Sequence, residues 1–280
     1  MGTPILQKEI LIPGKTSKMV LRAPEIAARA RPGHFVMLRM TNTGERIPLT
    51  IADANPEKGE ISIVYLVLGK STALLEALNE GDEILDVCGP LGKPTNIQKL
   101  GTVICVGGGT GIAAMHHIAK GHKKAGNRVI AIIGARSKDL LLFEKELLAF
   151  ADEVLVCTDD GSYCRKGLVT EPLKERLEAD KNVREVVAVG PVPMMEAVAK
   201  TTRPFSVATT VSLNPIMVDG IGMCGACRVS VDGQTKFACV DGPEFDGQKV
   251  DFAELRRRLG AFKRQEDESY NNYREPRDGN

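Results

Sequence analysis

Residues 102–120 read "TVICVGGGTGIAAMHHIAK", an apolar run followed by a glycine cluster and then by helix-forming residues. Glycine lacks a Cβ, so the backbone of such a turn can approach a bound pyrophosphate closely, and the N–H groups that begin the helix favour its negative charge. The stretch predicts a strand–turn–helix unit that binds a dinucleotide. The match to G-x-G-x-x-G is incomplete because Ile112 occupies the third glycine position, and a turn without a ligand also uses glycine. The predicted binding residues are Gly108, Gly109, Thr110 and Gly111.

Strand-like and helix-like runs alternate through the rest of residues 99–203, including a predicted helix over "KDLLLFEKELLAFA" (138–151). This order predicts a parallel sheet with helices on both faces, in which ligands bind beyond the carboxyl ends of the strands. The loops "IGARS", "TDDGS" and "GPVPMM" follow three of these strands, and ordinary turn chemistry is the competing explanation for their composition. They add Arg136, Asp160, Gly190 and Pro191 to the predicted site.

The nicotinamide preference stays open at this point. The second strand ends without the carboxylate that usually binds the ribose of NAD. Arg136 and Ser137 stand there instead and can hold either a ribose or a 2′-phosphate. The sequence therefore does not choose between NAD and NADP.

Residues 1–98 contain short strand-like runs separated by proline and glycine, which predict a small antiparallel barrel. One helix is predicted over "STALLEALNEGDEI", with a Ser–Thr cap at its start and Gly81 at its end. The sequence thus predicts four parts: a barrel (1–98), an α/β part (99–203), a small module (204–259) and a charged tail (260–280). We expect the tail to fray or to pack on a partner subunit.

Three of the seven cysteines lie close together in "DGIGMCGACRVSVDGQTKFACV", residues 219–240. Cys224 and Cys227 have the C-x₂-C spacing of a plant-type [2Fe–2S] site, and Cys239 matches its distant member. Asp219 stands where the first cysteine of the C-x₄-C part would be. The small residues between them allow the chain to wrap closely and to direct amides at sulfur. The pattern predicts a [2Fe–2S] site with these four ligands.

Zinc and a redox disulfide are the competing explanations for the cysteines. No histidine lies in residues 204–280 to complete a closed zinc site. A thioredoxin-like C-x-x-C begins a helix, whereas the residues after Cys227 have the pattern of a hairpin. For Asp219 the alternative is a plain turn residue, with water or Asp241 completing the iron site.

Composition excludes some classes of protein. The formal net charge of +1 gives no support to a nucleic-acid partner. No apolar run reaches about 18 residues, so no membrane-spanning helix is expected. Four further cysteines stand in apolar or isolated contexts, which favours a reducing cytoplasm over a disulfide framework. We expect Cys105, Cys157, His116 and His117 to be structural.

The segments "RIPLTIAD", "YLVLGKSTALL", "GGGTGIA", "GPVPMM" and "DGIGMCGACRV" together resemble the ferredoxin–NADP reductase superfamily over nearly the whole chain. In that family an Arg-x-(aromatic or apolar)-Ser/Thr strand motif and a Gly-x-Ser/Thr turn hold a flavin. One departure is that Arg46 stands one residue earlier than the motif expects. A plain edge strand at 48–50 and a plain helix cap at 71–72 are the alternatives. The resemblance assigns flavin binding to Arg46, Pro48, Leu49, Thr50, Tyr65, Val67, Gly69, Ser71 and Thr72.

One branch of that superfamily contains electron-transfer subunits of dihydroorotate dehydrogenase and the small subunit of NADH-dependent reduced ferredoxin:NADP oxidoreductase. The resemblance to this branch implies FAD, NAD(H) and one [2Fe–2S] cluster, and hydride transfer requires no catalytic side-chain acid or base. It also implies a heterodimer with a larger subunit. That subunit carries a second flavin and [4Fe–4S] clusters, binds NADP(H), exchanges electrons with ferredoxin and performs electron bifurcation.

The set of one aspartate and three cysteines resembles the ferredoxin:NADP enzyme, because the dihydroorotate branch normally has a cysteine at the position of Asp219. The dihydroorotate system is the alternative enzyme. A non-enzymatic flavin-binding electron carrier and a zinc-binding interaction module are the alternatives from other classes.

Overall fold

The computed structural model describes residues 2–275, and its first seven strands form a nearly closed antiparallel barrel. Alternate residues such as Met19, Leu21, Ile61 and Ile63 are fully buried inside it, which is the period-two pattern of strands. The elements are β1 (Thr3–Ile12), β2 (Thr16–Arg22), α1 (Pro24–Ala27), β3 (Phe35–Arg39), β4 (Ile47–Asn55), β5 (Glu60–Leu66), α2 (Lys70–Glu76), β6 (Glu83–Ile84) and β7 (Asp86–Leu91). Neighbouring strands follow the order β6-β1-β2-β5-β4-β3-β7.

Helix α2 is the predicted helix of the barrel, but it is shorter than expected. It ends at Glu76, before the expected end at Gly81. Oγ1 of Thr72 accepts a hydrogen bond from the Gly69 N–H (3.1 Å), so the side chain of Thr72 closes the first turn. At the other end the buried hydroxyl of Tyr65 donates to Glu76 (2.7 Å), which ties α2 to β5.

A second seven-stranded sheet has the order β11-β10-β9-β8-β12-β13-β16, and every strand pair in it is parallel except that of the edge strand β16. Its strands are β8 (Thr102–Gly108), β9 (Arg128–Ala135), β10 (Glu153–Thr158), β11 (Arg165–Lys166), β12 (Val183–Val189), β13 (Ala208–Ser212) and β16 (Glu244–Asp246). The helices between them are α3 (Gly111–Lys124), α4 (Glu144–Leu148), α5 (Thr170–Ala179) and α6 (Val192–Thr202). The predicted fold class is confirmed.

The two faces of this sheet are apolar, as a parallel sheet covered on both sides requires. Ile104 and Val106 pack on the face of α5 and α6, whereas Val103 and Cys105 pack on the face of α3. Cys105 and Cys157 are buried in these strands, as expected. No helix within residues 2–275 is long and apolar enough to cross a membrane.

The predicted helix over 138–151 is wrong. A 3₁₀ turn at Lys138–Leu140 and the short α4 replace it. Phe143 between them is left-handed (φ 58°), which no α-helix can continue through. The ring of Phe143 packs 5.2 Å from the ring of His116 on α3, so packing between helices overrides the helix propensity of the segment.

The chain after residue 203 departs from expectation in two respects. Strands β13 and β16 extend the parallel sheet past residue 203, where the sequence suggested that the alternation ends. The tail is helical instead of frayed, and its helix α9 (Lys263–Arg274) packs against α2 of the barrel. Residues 276–280 of the predicted tail lie outside the described residues. The other elements here are the hairpin β14 (Arg228–Val231) and β15 (Gln234–Phe237), then α7 (Ala238–Asp241) and α8 (Phe252–Leu259).

Helix α3 joins the two sheets by packing on β4. Ala113 is buried against Ala52 and Val64 of the barrel. Nδ1 of His117 donates to the carbonyl of Ile51 (3.0 Å), which makes this histidine structural, as expected.

A second junction involves Glu244 at the start of β16. The hydroxyl of Thr95, which follows the barrel, donates to Oε1 of Glu244 (2.6 Å). Burial between the two sheets raises the pKa of Glu244 to about 7, and the nearby Glu185 adds to the rise. The carboxyl is therefore easier to protonate in the folded chain than in the unfolded one.

We expect Glu244→Gln to weaken the pH dependence of stability. A carboxyl with a raised folded pKa stabilises the fold fully below its unfolded value of 4.5, and this contribution is lost as the pH rises to about 7. The variant lacks this loss of stability, which is worth roughly 2 kcal/mol. One pKa unit equals about 1.4 kcal/mol, and the partial exposure of Glu244 reduces the total. Urea unfolding across this pH range measures it, with the exposed Glu57→Gln as control. If the free energy of unfolding changed with pH equally in the two variants, the role of Glu244 would be contradicted.

Candidate functional site

A cleft of about 550 Å³ lies between the barrel and the carboxyl ends of β8 and β12. Strand order reverses at this place, because β8 is followed by β9 on one side while β12 lies on the other. Open α/β sheets bind ligands at such a switch point. Eleven of the predicted cofactor residues line the cleft: Pro48, Leu49, Thr50, Tyr65, Thr72, Gly108, Gly109, Thr110, Gly111, Gly190 and Pro191.

The glycine turns after β8 and β12 touch each other across the switch point. A Cβ added at Gly111 would lie 2.6 Å from the carbonyl oxygen of Val189 and 2.7 Å from Cα of Gly190. Gly109 adopts a φ of 54°, a conformation that side chains rarely take. Packing therefore requires glycine in this turn whether or not a ligand is bound. A structural role for the glycines and a ligand-binding role are compatible.

Residues 48–50 present a backbone edge to the cleft. Strand β4 pairs with β3 through Ile47–Thr50, but its ladder with β5 begins at Ile51. The strand is thus interior in the barrel yet leaves part of one edge available to a ligand. This arrangement differs from the plain edge strand that the sequence left as the alternative.

Four residues of the flavin motifs lie outside the cleft lining. Arg46 is exposed, and the N–H of Val67 donates to the carbonyl of Lys15 (2.8 Å) in the barrel. The hydroxyl of Ser71 lies 3.5 Å from the carboxylate of Glu45, so the loop that carries Arg46 reaches the start of α2. Gly69 is the N-cap residue just before that helix. The structure therefore brings Arg46 and the Gly-x-Ser/Thr turn to one end of the cleft.

Arg136 and Asp160 form a separate group at the carboxyl ends of β9 and β10. The N–H of Asp160 donates to the carbonyl of Arg136 (3.1 Å), and both side chains are exposed. The N–H of Gly109 donates to the carbonyl of Gly134 (3.2 Å), which connects this group to the glycine turn. The two predicted residues are together, but beside the cleft and not in it.

Three of the predicted iron ligands, Asp219, Cys224 and Cys227, lie on one loop, and Cys239 of α7 packs against it. Sγ of Cys227 and Sγ of Cys239 are buried 3.2 Å apart, and both are thiols. Cys224, three residues before Cys227, is exposed. The carboxylate of Asp219 accepts hydrogen bonds from the N–H groups of Ile221 (2.9 Å) and Cys224 (2.6 Å). These bonds lower the pKa of the Asp219 carboxyl, the one from Ile221 most.

The loop is built to wrap closely. Gly220, Gly222 and Gly225 all have positive φ (75°, 85° and 68°). The N–H of Cys239 donates to the sulfur of Cys227 (3.5 Å), and the predicted hairpin follows the loop as β14 and β15. Backbone amides directed at sulfur stabilise thiolate ligands, so the donor set fits an iron–sulfur cluster.

Burial raises the pKa of Cys239 to about 12, and Cys227 adds to the rise. Iron binds thiolates, so insertion of a cluster must release protons from this pair. Within residues 2–275 no three His, Cys, Asp or Glu side chains are close enough to hold a single metal ion. A [2Fe–2S] cluster divides four ligands between two iron atoms and needs no such group. Asp241 is engaged in a cap, since its carboxylate accepts from the Phe237 N–H (2.8 Å).

Phe35 and Met217 form a wall between the cleft and the cysteines. Both side chains line the cleft. Both also belong to the buried group that contains Cys227 and Cys239. A ligand in the cleft would therefore border the same packed group of side chains that contains the two cysteines.

Sequence reasoning missed the end of β13 and the segment that follows it. Ser212, Leu213, Asn214, Pro215 and Met217 line the cleft, in addition to Phe35 of β3. The available signal was the short run "ATTVS", which forms β13 next to the switch point. Its polar threonines gave it no buried-strand pattern, so its carboxyl end was not recognised as part of the site.

Comparison with known proteins agrees with this geometry. Residues 214–251 match a family model described as the iron–sulfur cluster binding domain of dihydroorotate dehydrogenase B. Residues 105–200 match the oxidoreductase NAD-binding domain. The predictions of an iron–sulfur cluster and of NAD binding are confirmed by these matches.

Three relatives align over most of their length. The chain is 49% identical over 253 residues (90% of this chain, 89% of the relative) to a dihydroorotate dehydrogenase B (NAD(+)) electron transfer subunit homolog of Thermotoga maritima. It is 32% identical over 257 residues (88% and 96%) to the corresponding electron transfer subunit of Fusobacterium nucleatum. A chain of the solved NADH-dependent reduced ferredoxin–NADP oxidoreductase structure, described in connection with flavin-based electron bifurcation, superposes with a TM-score of 0.91 at 45% identity, covering 98% of both chains.

The relatives share one role, that of an electron-transfer component in a larger oxidoreductase. This role agrees with the structure, in which Phe35 and Met217 border both the cleft and the two adjacent thiols. The chain belongs to the family of dihydroorotate dehydrogenase B electron transfer subunits and their homologues.

Proposed function

We propose that this chain is the electron-transfer subunit of an electron-bifurcating, NADH-dependent ferredoxin–NADP oxidoreductase. It passes electrons between NAD(H), FAD and a [2Fe–2S] cluster. The observation that carries the proposal is the wall of Phe35 and Met217, which borders both the dinucleotide cleft and the buried thiols of Cys227 and Cys239.

FAD connects the other two groups because a flavin exchanges electron pairs with nicotinamide and single electrons with a cluster. In the barrel, Pro48, Leu49 and Thr50 bind the flavin along the open edge of β4. Tyr65 is held behind them by its hydrogen bond to Glu76.

The residues that hold the flavin phosphates come from two different elements. Gly69, Ser71 and Thr72 supply the start of α2, and Arg46 supplies charge from the adjacent loop. Val67 supports the strand that leads into this turn through its bond to the carbonyl of Lys15.

NAD(H) binds on the opposite side of the cleft. The turns at 108–111 and 190–191 approach its pyrophosphate and nicotinamide, and Arg136 and Asp160 lie where its adenosine half would extend. Hydride transfer to or from a nicotinamide needs no side-chain acid or base, so the residues of the cleft would bind and orient the cofactors.

The ligands of the cluster are Asp219, Cys224, Cys227 and Cys239. We divide the chain into the flavin barrel (1–98), the NAD-binding part (99–203), the cluster module (204–259) and the C-terminal tail (260–280). The third part also supplies β13 and β16 to the second sheet.

The complex is a heterodimer in the cytoplasm, in which a larger subunit with a flavin and [4Fe–4S] clusters reacts with ferredoxin. The named relatives are electron-transfer subunits, which supports a partner of this kind. The alternative partner is a dihydroorotate-oxidising subunit, favoured by the names of the same relatives. Asp219 favours the ferredoxin enzyme. Copurification with a large subunit that oxidises dihydroorotate would select the alternative.

Anaerobic purification tests the cofactor set. We expect about one FAD and two iron and two acid-labile sulfide per chain, together with NADH-dependent bleaching of the flavin band and a cluster EPR signal. Reduction of the cluster by NADH requires the nicotinamide site, the flavin and the cluster in one relay. A colourless protein, or one with zinc and no sulfide, would overturn the proposal.

Gly69→Ala separates flavin binding from folding. The backbone at Gly69 is extended (φ −155°), and an added Cβ would meet no atom of the described residues within 4 Å. The fold should therefore accept the methyl group, whereas a phosphate seated on the turn would not. We expect FAD affinity to fall about tenfold, or 1.4 kcal/mol, in a flavin-fluorescence titration.

Gly260→Ala is the matched control, because its added Cβ would lie no closer than 3.7 Å, from the carbonyl oxygen of Arg257. Equal FAD affinity in both variants would place the flavin phosphates elsewhere.

Asp219→Cys tests the oxygen ligand. A thiolate in place of a carboxylate changes the electronic environment of one iron, so we expect altered g values in the EPR spectrum of the reduced cluster. Asp241→Asn is the control, since the amide oxygen can still accept the Phe237 N–H bond. An unchanged spectrum in the Asp219 variant, or a changed one in the control alone, would remove Asp219 from the ligand set.

A further inference from the structure

Two arginines contact the loop between the cysteines of the C-x₂-C motif. Nη1 of Arg228 donates to the carbonyl of Gly225 (3.1 Å), and Nη2 of Arg258 donates to the carbonyl of Ala226 (3.0 Å). Arg258 reaches the loop from α8, 32 residues away in sequence. Both successive carbonyls of the loop are thus held by guanidinium groups.

These bonds fix the orientation of the loop's peptide planes. The C=O and N–H of a trans peptide point in opposite directions. With the carbonyls of Gly225 and Ala226 turned to the arginines, the N–H groups of Ala226 and Cys227 point away from them. The arginines therefore hold the peptide dipoles that border the ligand Cys227 in a single arrangement.

The two side chains also place permanent charge beside the ligands, because guanidinium stays protonated. Arg258 is only partly exposed, and both arginines line an apolar groove of about 330 Å³ with Leu255, Leu259 and Phe262. Charges beside apolar surface are screened less than charges in open solvent. The other two arginines of α8 differ, since Arg256 pairs with Glu196 of α6 and Arg257 is exposed.

The cluster itself is anionic in this ligand set. Three thiolates and one carboxylate around [2Fe–2S]²⁺ give a net charge of −2, and one added electron gives −3. A nearby positive charge stabilises the form with more negative charge. Arg258 and Arg228 accordingly favour the reduced state.

We propose that Arg258, assisted by Arg228, is a positioning residue that orients the Cys224–Cys227 loop and raises the reduction potential of the cluster. The inference rests on the proposed ligation of a [2Fe–2S] cluster by Asp219, Cys224, Cys227 and Cys239. Its consequence is that α8 sets how readily the cluster accepts one electron from the flavin side of the chain.

An EPR-monitored redox titration of the anaerobic holoprotein tests this role, with dithionite supplying the single electron through mediators. We expect Arg258→Gln to shift the one-electron equilibrium about tenfold towards the oxidised cluster, a fall of 59 mV in midpoint potential. Arg258→Lys should keep most of the wild-type potential because it keeps the charge. Arg228→Gln should shift the potential in the same direction but less, since Arg228 is more exposed.

Arg257→Gln is the matched control, with the same loss of charge on the same helix. A potential in Arg258→Gln equal to that of the control would overturn the inference. Iron and sulfide analysis accompanies each titration. If Arg258→Gln alone loses the cluster, the midpoint potential of Arg228→Gln becomes the test. An unchanged potential in Arg228→Gln would then overturn the proposal. Loss of the cluster in both Arg258 variants would also overturn it, by showing that side-chain shape and not charge matters. A wild-type protein without the EPR signal would instead contradict the proposed function.

Discussion

The packing of α3 on β4 fixes how the barrel and the parallel sheet face each other, and the cleft depends on it. Its apolar part is the contact of Ala113 with Ala52 and Val64. Burial lowers the pKa of His117, so the ring is neutral and can donate its Nδ1–H to the Ile51 carbonyl without a buried charge. The ion pair of Lys120 and Asp53 (2.8 Å) is half-exposed and contributes at most about 1 kcal/mol. Apolar burial and one hydrogen bond from the His117 side chain to the backbone therefore carry this junction.

The same helix begins at the glycine turn of the switch point, so one element sets both the relative position of the sheets and the dinucleotide site. Gly111 can touch Val189 and Gly190 only because it has no side chain. The turn is consequently fixed by packing before any ligand arrives. A site held in this way loses little conformational entropy on binding.

The cluster module is attached to both sheets and not appended to one. Cys227 and Cys239 pack against Phe35 and Met37 of the barrel, while β16 and β13 extend the parallel sheet. Helix α8 then returns to the cysteine loop through Arg258. This double attachment places the thiols behind the wall of the cleft, where an electron-transfer subunit needs them.

Local sequence predicted most strands and the central helix α3, because their apolar periodicity and glycine turns are read within ten or twenty residues. It failed where contacts between distant residues decide the backbone conformation. Phe143, left-handed and packed beside His116, breaks the helix expected over 138–151. It also missed β13, whose threonines form a strand only by pairing with β12 and β16. A residue such as Ser212 enters the site through that pairing, which no neighbouring residue encodes.

The sequence by itself determined the chemistry available to this chain: a strand, glycine turn and helix in an NAD-binding domain, and closely spaced cysteines in an iron–sulfur binding domain. Those properties depend on residue type and on short spacing along the chain. Only the tertiary structure decided that Phe35 and Met217 border both the cleft and the two cysteines, and that Arg258 reaches the cysteine loop from another helix. Such proximities arise when apolar surfaces from remote segments are buried together, and burial depends on the whole fold and not on local order.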